Sequence, residues 1–416
     1  HKNLLNYGSS AEEDEALLLS LCREGLTYRY PDAGPEVMQR LEKELHLIRE
    51  KKFVSYFLIN WDIVNYARSR DFYYVGRGSG ANSIVAYLLR ITDVDPLELD
   101  LYFERFINLF RQSPPDFDID FSWKEREDIT RYIFDKFRNA TLLGAFNTFQ
   151  YSAVVRELGK VFGLPKADID MLSDGKFNYE ELDTMHQQVL RYATYLKDFP
   201  NYISIHSAGI LITEQPIYCY GATFLPPKGF PTAMFDMHQA EDIGINKLDI
   251  LSQRGLGKIK DTLSIIRYNQ PEKFDIDIHD IKRFKSDDQC NDMLRRGEAL
   301  GCFYVESPAM RMLLTKLQTH NYIGLVAASS VIRPGVSRSG MMQAYIERHR
   351  LPERRADAHP VMQELMPETY GIMVYQEDVM KVAHLFAGLG LDECDVLRRG
   401  MSGKFRSKEE FQRVKD

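Results

Sequence analysis

The stretch PPDFDIDF, residues 114–121, decides how this sequence of 416 residues is interpreted. It places Asp116, Asp118 and Asp120 at alternate positions, with apolar residues between them. Because successive side chains of a strand point to opposite faces, the aspartates share one face and the apolar residues can anchor the other. Carboxylates spaced about 6.6 to 7 Å along a strand repel one another unless cations lie between them.

Two interpretations of this strand remain open. Mg²⁺ is typically held by one or two carboxylates together with substrate phosphates, and two such ions about 4 Å apart align an attacking oxygen and a leaving oxygen. In the other interpretation the stretch is an acidic surface strand whose aspartates are simply solvated. The apolar alternation on either side of the aspartates favours a strand with one buried face.

Length and composition limit the class of protein. A chain of 416 residues exceeds what one hydrophobic core usually supports, which predicts two or three substructures. Five widely spaced cysteines without a CxxC pair argue against a zinc site and a disulfide framework, and favour a reducing cytoplasm. The net charge of −7 provides no overall basic field, so any nucleic acid must be bound by a local basic lining. No apolar run approaches the ~18 residues of a membrane span, and no membrane partner is expected.

A glycine-rich turn, GRGSG at residues 76–80, lies between a β-type run and a helical pattern. Gly78 and Ser79 would form a phosphate cradle with Arg77 as an adjacent cation, and a helix expected to begin near Ser79 would contribute its positive end. The alternative is a tight strand-to-helix turn that requires glycine for a positive φ. The turn is neither a Walker A loop nor a dinucleotide fingerprint.

A later strand, NKLDIL at residues 246–251, carries Lys247 and Asp249 on one face. A carboxylate for a metal beside a cation for a phosphate suits phosphoryl transfer, whereas the alternative is an ordinary lysine–aspartate pair on the surface. Together, the glycine-rich turn, the aspartate strand and this later strand have the arrangement expected of a two-metal nucleotidyl transferase.

Longer segments of the sequence resemble one particular protein family. VGRGSGANSIVAYLLRITDVDPLELDLYFERFIN, followed by PPDFDIDF, resembles the palm of the bacterial DNA polymerase III alpha subunit family, and HSAGILIT, NKLDIL, ETYGIMVYQEDVM and DVLRRGMSGK resemble its later segments in the same order. The resemblance implies an α+β fold: a polymerase beta-like nucleotidyltransferase palm with a mixed sheet and helices, a helical thumb and largely helical fingers. It assigns residues 1–147 and 206–275 to the palm, 148–205 to the thumb, and 276–416 to incomplete fingers.

The resemblance also assigns roles to residues. The catalytic, metal-binding aspartates would be Asp116, Asp118 and Asp249, with Asp120 outside the minimal set. The nucleotide-binding residues would be Gly78, Ser79, Arg105, Lys247, Arg398 and Arg399. Arg111 occupies a second basic position, and Lys404 is a weaker candidate. For Arg398, Arg399 and Lys404 the alternative is a set of cations that stabilises a helix C-terminus without any ligand.

The function implied is template-directed DNA synthesis, in which two Mg²⁺ ions assist transfer from a dNTP to a primer 3′-hydroxyl. The implied partners are primer–template DNA and dNTPs, together with a sliding clamp and other replicase subunits bound through regions absent from this chain. The chain is expected to be a cytoplasmic fragment, because the histidine-rich N-terminal domain and the rest of the fingers are lacking. The alternatives are a non-catalytic fragment that binds DNA or a partner, and another nucleotidyl transferase built on the same palm.

Overall fold

The computed structural model of the protein describes residues 2–111 and 116–401. These residues form two compact units, each assembled from separate stretches of chain. Residues 2–11 and 126–251 form the sheet unit, and residues 12–125 and 252–401, within the described ranges, form the helix-rich unit. Compact packing units do not test functional subdomains, so the predicted boundaries of palm, thumb and fingers stay a prediction.

The first stretch of the helix-rich unit contains four helices and an antiparallel strand pair. They are α1 (Ala11–Arg29), α2 (Pro35–Glu50), α3 (Val54–Ser69), β1 (Tyr74–Arg77), α4 (Ile84–Leu88) and β2 (Asp118–Ser122). As its period predicts, α2 buries Leu41, Leu45 and Ile48. The helical period of residues 36–69 predicts one continuous pattern, but the pattern is broken at Lys52, whose φ of 57° is incompatible with a continuous helix.

The sheet unit contains most of the strands. Its elements are α5 (Arg126–Lys136), β3 (Ala140–Thr148), α6 (Tyr151–Val161), α7 (Lys166–Ser173), α8 (Thr184–Leu196), β4 (Pro200–Ile212), β5 (Thr223–Phe224), β6 (Thr232–Ala233), α9 (Met237–Asp242) and β7 (Lys247–Gln253). The last two residues of β7 lie beyond the boundary of this unit. The strand order is β7-β4-β3-β6-β5, antiparallel except for the parallel pair of β3 and β6. The result is a mixed sheet in which Gly209 of β4 lies opposite Asp249 of β7.

Within the sheet unit, α6, α7 and α8 bury a core of their own around Val155, Leu172 and Val189. This helical segment was predicted from the sequence, whereas β3 was not. The sequence of β3, ATLLGAFNT, combines helix-forming residues with a glycine, so local propensity does not indicate a strand. Its pairing with β4, more than fifty residues later in the chain, determines its conformation.

The last described stretch belongs to the helix-rich unit and is helical, as predicted. Its helices are α10 (Arg254–Asn269), α11 (Ile281–Lys285), α12 (Asp288–Arg296), α13 (Pro308–Leu317), α14 (Tyr322–Val331), α15 (Pro334–Arg338), α16 (Met341–Arg350), α17 (Pro360–Leu365), α18 (Gln376–Leu385) and α19 (Leu391–Met401). The proline and glycines of RPGVSRSG, residues 333–340, predict a loop, and the structure corrects this prediction because Pro334 begins α15. Proline is well tolerated at the first helical position, where its missing N–H has no intrahelical partner anyway.

The predicted α+β class is confirmed by a mixed sheet accompanied by many helices. The core of the helix-rich stretch from α13 to α18 is built around Met310, Leu314, Val331 and Tyr345. None of the described helices combines the length and the apolar character that crossing a bilayer requires.

Candidate functional site

Strand β2 presents the alternation that the sequence predicts. Phe117 and Ile119 are buried, whereas Asp116 is exposed and Asp118 is partly exposed. Asp120 differs from its two neighbours because it is 4% exposed. Its Oδ2 accepts hydrogen bonds from Arg77 Nε at 2.8 Å and from Gln253 Nε2 at 3.0 Å. Asp120 is therefore held by the protein itself.

Arg77 of β1 lies directly opposite Asp118 and is the counter-ion of two aspartates. Its Nη1 lies 3.2 Å from Asp118 Oδ2, and its Nε lies 2.8 Å from Asp120 Oδ2. The sequence predicted Arg77 beside a phosphate, but the structure shows it among carboxylates. Because its side chain is 48% exposed, the pairs contribute little to stability, and their main effect is to reduce repulsion along β2.

Gly78 brings the glycine-rich turn against the aspartate strand. Its φ is +75°, which favours glycine, and a Cβ built at this position would lie 2.7 Å from Asp118 Oδ2. The carboxylate of Asp118 therefore occupies the space that a side chain would need. From the sequence, a phosphate cradle and a tight turn with a positive φ were alternatives; the structure confirms the positive φ and adds this contact, while the phosphate cradle stays a prediction.

The helix after the turn begins later than predicted. Residues Gly78–Asn82 form a 3₁₀ turn, and α4 begins at Ile84 rather than near Ser79. The N-terminal donors of α4 are bound by the fully buried Glu44, which accepts hydrogen bonds from Ile84 N at 3.0 Å and Val85 N at 3.2 Å. The expectation that this helix end is available to a phosphate is wrong, because a carboxylate of the protein already takes that place.

Glu44 is itself supported by its own helix, α2, and by Ser83, the residue before α4. Arg40 Nε lies 2.7 Å from Glu44 Oε1, and Ser83 Oγ donates to Glu44 Oε2 at 2.7 Å. Burial raises the pKa of Glu44, while Arg40 and the hydrogen bonds act in the opposite direction. A buried carboxylate with this many donors fixes the entry of α4 and therefore the turn at Gly78 and Ser79. The proposed phosphate contact of those two residues is not tested by these hydrogen bonds.

In the sheet unit, Lys247 and Asp249 share one face of β7, as predicted. Lys247 Nζ forms an ion pair with Asp249 Oδ2, and both side chains are largely buried. The alternative of an ordinary surface pair is therefore wrong. Asp249 Oδ1 is buried and has no hydrogen-bond partner among the described residues. An unsatisfied buried acceptor typically costs about 1–3 kcal/mol, and a bound cation would remove that cost.

The arginine cluster, defined here as Arg105, Arg111, Arg398 and Arg399, lies in the helix-rich unit. Its centre is the fully buried Asp395 of α19. Asp395 Oδ1 accepts from Arg398 Nε at 3.0 Å and Nη2 at 2.6 Å, and Asp395 Oδ2 accepts from Arg399 Nε at 3.1 Å. The two arginines that the sequence placed at the nucleotide are therefore joined through one carboxylate.

Gln376 links Arg105 to this pair. Its Oε1 accepts from Arg105 Nη2 and from Arg398 Nη1, each at 2.9 Å. Arg105 Nη1 also lies 2.6 Å from Glu377 Oε1, while Arg105 Nε is buried without a partner among the described residues. Arg105 and Glu377 line a cavity of about 440 Å³. Arg105 thus adjoins open space and keeps an unused donor.

Arg111 completes the cluster and connects it with the aspartate strand. Burial lowers the pKa of Arg111, and the negative charges of Asp395 and Asp116 oppose this while the positive charges of Arg399 and Arg398 add to it. Asp116, which precedes β2, is therefore among the charges that act on Arg111. Lys404, the weaker candidate, and Pro114 and Pro115 lie outside the described residues.

The predicted metal ligands have the chemistry that Mg²⁺ prefers, because all three are carboxylates. In the described parts of the chain, no group of three or more His, Cys, Asp or Glu side chains is arranged to hold a metal ion. Arg77 and Lys247 occupy oxygens of Asp118 and Asp249 in this arrangement. The unsatisfied Oδ1 of Asp249 is the atom that best fits a cation.

Two family patterns match the sequence. The one described as "Bacterial DNA polymerase III alpha NTPase domain" matches residues 16–252, which is more than half of the chain. The chain belongs to the bacterial DNA polymerase III alpha family. A second pattern, "Bacterial DNA polymerase III alpha subunit finger domain", matches residues 255–416. The resemblance seen in the sequence is confirmed.

Curated relatives of the polymerase III alpha family match almost all of this chain. The error-prone DNA polymerase of Symbiobacterium thermophilum is 33% identical over 420 residues, covering 96% of this chain and 38% of that protein. The DNA polymerase III subunit alpha of Bacillus subtilis is 32% identical, covering 95% and 37%, and that of Treponema pallidum is 34% identical, covering 94% and 35%. The chain spans under two fifths of the length of these relatives.

Three supporting residues of this polymerase III alpha family member were missed or misjudged from the sequence. Asp395 precedes Arg398 and Arg399 by three and four residues, a helical spacing that could have indicated the ion pairs. No pattern in the sequence connects Gln376 with arginine, but its Oε1 accepts from Arg105 and from Arg398. Glu44 acts on residues about forty positions later, and no local pattern indicates that contact.

Proposed function

We propose that this chain carries the nucleotidyl-transfer site of template-directed DNA synthesis, which transfers a nucleotide from a dNTP to a primer 3′-hydroxyl. One observation carries the proposal: the carboxylate of Asp118 lies where a side chain of Gly78 would be. A turn suited to phosphate is therefore in contact with a carboxylate suited to a metal ion, and nucleotidyl transfer needs these two functions side by side. Membership of the polymerase III alpha family supports the same reaction.

Asp116, Asp118 and Asp249 are the proposed ligands of two Mg²⁺ ions. When bound, such ions lower the pKa of an attacking hydroxyl and offset charge on the phosphate being transferred. The unsatisfied Oδ1 of Asp249 supports this role for the third carboxylate. Arg77 and Lys247 balance the carboxylates when no other cation is bound.

The phosphates of the dNTP are proposed to contact Ser79, Lys247 and three members of the arginine cluster, Arg105, Arg398 and Arg399. Guanidinium groups bind phosphate through paired donors, and partial burial strengthens these contacts because little water screens them. Arg398 and Arg105 are already joined through Gln376, so both donors are held before a ligand arrives. Such preorganisation lowers the entropic cost of binding.

The remaining proposals concern the longer protein. The palm would comprise residues 1–147 and 206–275, the thumb residues 148–205, and the fingers residues from 276 onwards. Primer–template DNA would be held mainly through its phosphates, with an affinity that falls as salt rises. A sliding clamp and other replicase subunits would bind through regions outside this chain, in the cytoplasm.

The test is Mg²⁺-dependent primer extension by this chain and by the full-length protein that contains it. Asp116→Ala should abolish extension in both, whereas Glu42→Ala, which removes an exposed carboxylate of α2, should leave the rate unchanged. Extension that requires a template and Asp116 supports the proposal. A full-length protein that binds primed DNA without extending it is a binding module, and addition of nucleotides without a template indicates a different nucleotidyl transferase.

A further inference from the structure

Asp395 differs from most aspartates that pair with an arginine on the same helix, because it is buried. Its side chain is 0% exposed, and each carboxylate oxygen accepts two hydrogen bonds. Oδ1 is bound by two nitrogens of Arg398, and Oδ2 is bound by Arg399 Nε at 3.1 Å and by Asn108 Nδ2 at 2.9 Å. A buried carboxylate is costly unless it is both paired and fully hydrogen bonded, and Asp395 meets both conditions.

A second pair in the same unit shows what helix spacing alone produces. Arg295 and Asp292 on α12 are also three residues apart, with Nη1 and Oδ1 separated by 3.2 Å. Their side chains are 46% and 49% exposed, so the pair is an ordinary surface ion pair that water screens. The burial of Asp395 is therefore not a consequence of its spacing from Arg398.

Two guanidinium groups, of Arg398 and Arg399, share the one carboxylate of Asp395, which leaves a formal charge of +1 on these three side chains. That charge favours an anion. Through Gln376, the position of Arg398 is also coupled to that of Arg105. A single buried carboxylate thus fixes the direction of two guanidinium groups and influences a third without cancelling their charge.

We propose that Asp395 is a positioning residue that orients Arg398 and Arg399 for the triphosphate of the incoming nucleotide. The inference rests on the proposed function, because it assumes that these arginines meet a dNTP. Asp395 does not touch the nucleotide and acts only through the arginines. Displacement of such a contact by about an ångström can cost up to ~100-fold in rate or binding.

The decisive variant is Asp395→Asn in the full-length protein. The amide oxygen can still accept from Arg398, but the amide NH₂ would meet the donors of Arg399 and Asn108, so Arg399 loses its position while the helix stays intact. We expect the KM for dNTP to rise about tenfold or more, with kcat changed less than about threefold. Asp292→Asn, the matched exposed pair on α12, should change neither constant.

A double-mutant cycle separates positioning from general structural support. If Asp395 acts through Arg399, Arg399→Gln should raise KM much less in the Asp395→Asn background than in the wild type. Additive effects would overturn the proposal. Thermal unfolding of each variant checks folding; if Asp395→Asn does not fold, Arg399→Lys, which keeps the charge but loses the Nε donor, should produce the same rise in KM, and an unchanged KM would overturn the proposal.

Calorimetry of inorganic tripolyphosphate binding tests the role of Asp395 without requiring DNA synthesis. Weaker binding to the Asp395→Asn protein than to the wild type or Asp292→Asn supports positioning even if no primer is extended, in which case only the proposed function fails. Equal binding by all three proteins, with normal primer extension by the wild type, overturns the role of Asp395 and leaves the proposed function standing.

Discussion

The aspartate strand and helix α19 solve opposite electrostatic problems with the same kind of contact. On the strand, one arginine, Arg77, is shared by Asp118 and Asp120. On α19, one aspartate, Asp395, is shared by Arg398 and Arg399. In both places a single ion of one sign holds two of the other, so each group keeps an excess charge.

The sign of that excess differs between the two regions. Arg77, Asp118 and Asp120 together carry a formal charge of −1, which suits divalent cations. Asp395, Arg398 and Arg399 together carry a formal charge of +1, which suits phosphates. Partial neutralisation therefore lets a fold tolerate clustered like charges while it preserves a preference for a ligand of the opposite sign.

The largest expected effect comes from Gly78→Ala, which disturbs the strand region sterically without changing any charge. A methyl group would lie 2.7 Å from Asp118 Oδ2, and the positive φ adds about 1 kcal/mol of strain. We expect primer extension to fall about 100-fold, because a shift of about 1 Å at a reacting group has that effect. Gly34→Ala, where no atom lies within 4 Å and φ is negative, is the matched control. Primer extension at the wild-type rate by Gly78→Ala would show that the close contact between the turn and the Asp118 carboxylate is not needed for activity.

A second test concerns Asp378, a buried carboxylate that accepts its hydrogen bonds from the backbone N–H groups of Val374 and Tyr375. Burial raises its pKa from 3.8 to about 6. The folded state therefore keeps a proton that the unfolded state has released, and this stabilisation is present at low pH and is lost as the pH rises through 6. Relative to Asp378→Asn, the wild type should lose about 2 kcal/mol of unfolding free energy between pH 4.5 and pH 7.

Urea denaturation of both proteins at each pH measures this difference. Asp292→Asn, an exposed position, should show a difference from the wild type that changes little over the same range. If the wild type instead gains unfolding free energy relative to Asp378→Asn as the pH rises, the effect of the backbone donors on the pKa of Asp378 outweighs that of burial. In that case, backbone N–H groups alone would stabilise a charged, buried carboxylate as effectively as arginine does.

The smallest expected effect is that of Arg77→Gln on metal affinity. Removal of the shared cation raises the excess negative charge of the strand, so Mn²⁺, used as a spectroscopic substitute for Mg²⁺, should bind about tenfold more tightly. Electron paramagnetic resonance titration measures the affinity without any turnover. Arg131→Gln, which removes an exposed arginine paired with Glu127 on α5, is the matched control and should leave the affinity unchanged. Weaker binding by Arg77→Gln would show that Arg77 positions Asp118 rather than competing for it.

Sequence reasoning succeeded where the pattern is local. The alternation around Asp118 follows from the period of a strand, and Lys247 and Asp249 share a face for the same reason. The helical pattern beyond residue 275 is local in the same sense. These features depend on residues within one element, so the sequence contains the information directly. The α+β class, in contrast, was implied by the resemblance to the family.

The rest depends on contacts between distant segments. Arg77 was assigned to a phosphate because its pairing with Asp118 requires the register of β1 against β2, more than forty residues later. Glu44 takes the N-terminus of α4, and no local signal connects it with Ile84. Likewise, β3 becomes a strand only through β4. Of the candidate site, residue types were predictable, whereas the counter-ions that hold them were not.

The division of the helix-rich unit into two stretches of chain has a consequence for folding during synthesis. Arg105 contacts Glu377, 272 residues later, and the whole of the 126–251 stretch is made between them. At about 5–20 residues per second, roughly 15 to 50 seconds separate the two ends of this contact on the ribosome. The sheet unit can be completed in that interval. Arg105, and Tyr102, which packs against Met380 and Cys394, therefore remain without these partners until the last helices have been made.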